Sequence, residues 1–146
     1  MAANRRQKEY IMVKVIIGVK GTGKTKALIS MVNEAVEKSN GTVVCIEKGV
    51  GLRFDVTYNA RLINTNEYLV FDAQALYGFV AGILASNHDV TDLFIDGALK
   101  ISNNDVAAFE AFLKAVDELT SKMEVNVVMT SSIPTEEASD LVKKYI

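Results

Sequence analysis

Apolar positions follow two alternating rhythms along this chain. The stretch Tyr10–Ile17 is almost unbroken apolar and rich in β-branched residues, as expected of a strand covered on both faces. From Lys24 to about Lys38 the rhythm changes, and Ala27, Leu28, Met31, Val32, Ala35 and Val36 draw one stripe down a helix. Asn40 and Gly41, both tolerant of a left-handed backbone, are expected to end it. A second buried strand follows at Thr42–Ile46, with Glu47 at its C-terminal end. Residues 48–59 have mixed polarity and glycines at 49 and 51 and read as a loop, with a short extended piece at Arg61–Ile63. Tyr68–Phe71 reads as a third strand closed by Asp72, and residues 73–86 as a helix that is apolar around most of its circumference.

The alternation continues to the C-terminus. Asn87–Asp89 is a turn, Thr91–Ile95 a fourth strand ending at Asp96 and Gly97, and residues 103–121 an amphipathic helix with Val106, Phe109, Leu113 and Val116 on one face. Ser102 and Asp105 stand in capping-box spacing before it. Val125–Met129 is the fifth strand and runs into Thr130, Ser131 and Ser132. Pro134 suits the first turn of a last helix, whose end carries Lys143 and Lys144 in favourable positions for the helix dipole. Strands alternating with helices in this order predict an α/β fold, a three-layer parallel sheet of about five strands.

Length and composition narrow the picture further. The 146 residues suit one domain, placed at 10–146 behind a polar tail at 1–9. A net charge of −2 argues against duplex DNA or an anionic membrane as the dominant partner. The run after Arg5, Arg6, Lys8 and Glu9 is cut by Lys14 and ends in glycines, so it reads as a strand rather than a secretion signal. No apolar run is long enough to span a bilayer, and a cytoplasmic location is expected. Cys45, the one cysteine, lies in an apolar run and is expected to be a buried thiol.

The most informative segment is Gly18-Val-Lys-Gly-Thr-Gly-Lys-Thr25, which matches the phosphate-binding pattern G-x-x-x-x-G-K-S/T at every fixed position. Glycines let the backbone curl with its N–H groups inward, and the following helix presents its positive end, so anionic phosphates are cradled by both. Gly18, Val19, Lys20, Gly21, Thr22, Gly23, Lys24, Thr25 and Lys26 are therefore the expected nucleotide-binding residues. Lys24 would reach the β- and γ-phosphates, and the Thr25 hydroxyl would bind Mg²⁺. The loop also sits between a strand and an amphipathic helix, the context the pattern requires. Asp96, an acid closing an apolar strand, would hold Mg²⁺ through water. Asp92 opens the same strand and would lie at the wrong end, because ligands of such sheets gather at strand C-termini. ATP with Mg²⁺ is the expected ligand pair.

With these elements in this order, the chain resembles the ATPase core of the RecA family over roughly residues 11–132, by pattern more than by identity outside the glycine loop. The resemblance implies a water-polarising glutamate at Glu47 and a polar residue sensing the γ-phosphate at Thr130 or Ser131. Asp72 is the alternative catalytic acid. It also implies a sheet in which the first strand lies beside the strand of Thr130, here at an uncovered edge, and hence a homo-oligomer or protein partner. Arg53 or Arg61 could reach a neighbour's phosphate. This chain is shorter than the family's usual core and nucleic-acid binding is not supported, so a slow or partner-stimulated ATPase is the first expectation. A non-catalytic switch or assembly subunit is the second. A guanine-reading Asn-Lys-x-Asp is absent, a small-molecule kinase would want more arginines, and one cysteine cannot form the zinc cluster of thymidine kinases. His88, in a polar turn, is expected to be an exposed loop residue.

Overall fold

The computed structural model describes residues 13–146. The tail expected at 1–9 and the first three residues of the strand expected from Tyr10 lie outside the described residues. The remaining elements run in order as β1 (Val13–Ile17), α1 (Lys24–Lys38), β2 (Thr42–Glu47), β3 (Arg61–Asn64), α2 (Ala73–Ser86), β4 (Val90–Asp96), the short α3 (Ala98–Ile101), α4 (Val106–Met123), β5 (Asn126–Ser131) and the short α5 (Asp140–Lys143).

The five strands form one sheet in the order β1-β5-β4-β2-β3, and every neighbouring pair is parallel. Side chains alternate across it, and helices cover both faces. Val43 and Cys45 of β2, Phe94 of β4 and Val128 of β5 pack with Leu28 and Val32 of α1 and with Leu52 and Val56 of the following loop. Val44, Ile46, Leu93, Ile95, Val127 and Met129 point the other way, onto Leu76, Val80 and Leu84 of α2 and Phe109, Leu113 and Val116 of α4. Cys45 is fully buried, and burial together with the charges of Asp96 and Glu47 pushes its thiol up to about 12. Among the described residues no helix is long and apolar enough to cross a membrane.

Several local expectations need correction. Tyr68–Phe71 is not a strand. Residues 65–68 form a 3-10 turn capped by the Asn64 side chain, and Leu69 takes a left-handed backbone with φ 58°. The strand is instead Arg61–Asn64, which pairs along β2 from Val44 to Glu47. Helix α4 begins at Val106, not 103, because the Asp105 carboxylate accepts from the Ala108 amide and caps it. Ser102 turns back to donate to the Ala98 carbonyl at 2.8 Å, and Asn103 and Asn104 both have positive φ. The helix expected from Pro134 is split into a 3-10 turn at Thr135–Glu137 and α5, which Ser139 caps. Neither Asn40 nor Gly41 is left-handed. Gly41 answers a different need, since a Cβ there would lie 2.0 Å from the Asp89 carbonyl oxygen.

Strand β1 does lie at a sheet edge, paired with β5. Among the described residues, its outer side is partly covered by the segment that follows β5. The Val15 amide donates to the Tyr145 carbonyl at 2.7 Å, and the Gly18 amide to the Ile133 carbonyl at 3.0 Å. Tyr145 is held in turn by its hydroxyl, which donates to Asp117 Oδ2 at 2.9 Å.

Candidate functional site

The glycine loop leaves the C-terminal end of β1 and opens directly into α1. Gly18, Gly21 and Gly23 have φ of 149°, 88° and 87°, a region L side chains rarely adopt. A Cβ on Gly18 would also strike Thr22 Oγ1 at 2.7 Å, whereas Gly21 and Gly23 face open space. The Thr22 hydroxyl and the Lys24 ammonium both donate to the Val19 carbonyl, at 2.8 and 2.9 Å. Helix α1 has no acidic residue in its first turn and no side-chain cap. Among the described residues, no backbone group accepts from the amides of residues 20–25. The loop therefore presents a curl of available N–H groups at the positive end of a 15-residue helix, an arrangement suited to an anion.

The sheet brings the other expected residues to the same rim. Asp96 ends β4, and its Oδ1 accepts from Thr25 Oγ1 at 3.2 Å and from Thr130 Oγ1 at 2.8 Å. The Gly97 amide donates to Thr130 Oγ1 at 2.8 Å. Thr25, Asp96 and Thr130 thus meet although they come from three distant stretches of chain. They line a cleft of about 640 Å³ together with Lys20, Lys24 and Lys26. Lys100, Asn104 and Ser132, which no sequence motif singles out, also line this cleft. The sheet order could have suggested them, because each follows a strand whose C-terminal end opens here.

Glu47 is placed differently. It is the register partner of Asp96 on the neighbouring strand, but its carboxylate turns into the loop that follows, accepting from the Leu52 amide at 3.1 Å. It lines a separate cleft of about 200 Å³ with Arg53 and Arg61. Burial raises its pKa; the backbone N–H groups of Leu52 and Gly51 oppose that rise, and the Asp96 charge adds to it. A carboxyl whose pKa is raised on folding stabilises the native state most while protonated. Stability should therefore fall as pH climbs from the ordinary carboxylate range through the raised value. Urea unfolding across that window should show the fall in the wild type, and Glu47→Gln should flatten it.

Of the remaining candidates, Asp72 caps α2 by accepting from the Ala75 amide at 2.8 Å. Arg53 lies over the Phe54 ring at 4.8 Å. Ser131 Oγ is buried without a hydrogen-bond partner among the described residues, and His88 is exposed in its turn. Among the described residues no three His, Cys, Asp or Glu side chains gather as a metal site. A divalent ion here would rest on Thr25 and Asp96 and on oxygens brought by a ligand. That donor set suits Mg²⁺, which typically takes one or two carboxylates plus phosphates and water. Compared with protein-family models and with curated proteins, the chain matches none.

Proposed function

We propose that this chain binds ATP with Mg²⁺ through the P-loop Gly18–Thr25 and is a small RecA-like ATPase, slow alone or stimulated by a partner. The observation that carries the reading is the Thr25 hydroxyl lying 3.2 Å from Asp96, 71 residues away in sequence, at the mouth of the glycine curl. One residue lies in the first turn of the helix that faces the phosphates, and the other ends the acid-tipped strand. In this reading the amides of the curl and Lys24 hold the β- and γ-phosphates, while Thr25 and Asp96 hold the ion. Mg²⁺, when bound, neutralises phosphate charge and fixes its geometry. Strand β5 lies between β1 and β4, the neighbourhood of the first strand that the RecA resemblance implies. ATP is preferred to GTP because no guanine-reading motif is present.

Glu47 favours a second reading. Its carboxylate is tied to the Leu52 amide rather than aimed into the cleft lined by Lys24 and Asp96. A nucleotide-dependent switch or assembly subunit needs no water-polarising base, and a self-association or partner surface belongs to both readings. A fluorescent ATP analogue should bind more tightly with Mg²⁺ than in EDTA, and phosphate release at high protein concentration separates the two readings. Release that depends on Glu47 supports the ATPase. Tight binding with no release, alone or with partners, supports the switch. Absence of any binding rules out both.

A further inference from the structure

We infer that Thr130 is a positioning residue for Asp96 and that Ser132 is the hydroxyl free to meet a terminal phosphate. The inference rests on the ATP reading above and deepens it. A hydroxyl has one proton to donate, and that of Thr130 is committed to Asp96 Oδ1 at 2.8 Å. Thr130 Oγ1 itself accepts from the Gly97 amide at 2.8 Å. Thr130 is 2% exposed, so water does not readily replace either bond. Sensing a phosphate would require it to surrender the proton that holds Asp96.

The two bonds do a different job well. Gly97 has φ 74° and ψ 45° and opens α3 directly after β4. Thr130, on the adjacent strand β5, thus ties the carboxylate of Asp96 and the backbone turn behind it to one point. Asp96 Oδ1 is held by Thr130, and the carboxylate remains within 3.2–3.4 Å of the Thr25 hydroxyl. A group that orients a metal-binding carboxylate in this way typically changes metal affinity by about 10–100-fold when removed. Ser132 is exposed at the cleft, two residues beyond Thr130. Its side chain projects from the loop after β5 rather than from the buried strand.

The experiment is a titration of Mg²⁺ at fixed fluorescent ATP analogue, alongside nucleotide binding in EDTA, for the wild type and for Thr130→Val, Thr130→Ser and Ser132→Ala. Thr130→Val should raise the Mg²⁺ half-saturation by about tenfold or more and leave binding in EDTA nearly unchanged. Thr130→Ser should restore it. Ser132→Ala should keep the wild-type Mg²⁺ half-saturation and lose part of the preference for ATP over ADP. Should Thr130→Val fail to fold, Thr130→Ala is measured in its place. A wild-type Mg²⁺ half-saturation in a folded Thr130 variant, with loss of the ATP preference instead, overturns the assignment. A wild-type chain that binds no nucleotide sinks the ATP reading itself, which is a separate outcome.

Discussion

Replacing Lys24 by alanine is expected to weaken MgATP binding by roughly 10- to 150-fold, the equivalent of about 1.5–3 kcal/mol for a hydrogen bond to a charged group. The fold should survive the change. Among the described residues the Lys24 ammonium bonds only the Val19 carbonyl, at 2.9 Å and near the surface, so its loss uncovers no buried partner there. Thr25→Ala should act through the ion instead, removing most of the gain in nucleotide affinity that Mg²⁺ confers and leaving the residual binding in EDTA. Calorimetric titration with ATP, with and without Mg²⁺, reads both effects, and a thermal melt checks folding. Unchanged affinity in a folded Lys24→Ala protein would end the P-loop proposal.

Glu47→Gln should slow any ATP turnover by at least ~100-fold while leaving ATP binding nearly intact, since a general base or water-orienting group contributes about 10²–10⁴-fold. The structure adds a condition to this expectation. Glutamine keeps an acceptor for the Leu52 amide, so the tether that now holds Glu47 should survive the change and the loop should stay folded. A fall in turnover then reports chemistry rather than collapse. Asp72→Asn is the contrasting variant. Asp72 is spent on the N-cap of α2, and asparagine caps about as well as aspartate, so turnover should hold. Stopped-assay phosphate release decides the matter. If Glu47→Gln is harmless and Asp72→Asn is crippling, the roles are reversed and the alignment of β2 with the family is wrong.

Where sequence and structure agree, each local signal was reinforced by a nearby one. The loop at Gly18–Thr25 was legible because glycine, lysine and threonine occur at fixed spacing and are followed at once by a helical stripe. Strand β4 was legible from Leu93, Phe94 and Ile95, all buried, closed by an acid. Tyr68–Phe71 misled because aromatic and aliphatic residues in a row look like a strand, yet only Val70 of the four is buried. Arg61–Asn64 looks weaker alone and becomes a strand because β2 offers it a ladder, a partner no short window contains. Ser102 and Asp105 have the spacing of a capping box, but two left-handed asparagines intervene and the serine serves the preceding short helix. The orientation of Glu47 was equally hidden, because it is set by the path of residues 48–52 and not by its place at the end of a strand.

The sheet order also has a consequence for how the chain folds. Of the five described strands β5 is made after the other four, yet it lies between the first and the fourth, and Val13 waits for Val127 to arrive before it can pair. Contacts between such distant residues form late, because loop closure must precede them. On an emerging chain the glycine loop is therefore complete in sequence long before it is anchored. β1 can join β4 only through β5, and the Gly18 amide finds its acceptor, Ile133, beyond that same strand. The cleft should consequently be among the last features to form during synthesis and among the first to vanish when β5 pulls free. A nucleotide that selects the finished cleft would then act as a closing clasp on the whole sheet.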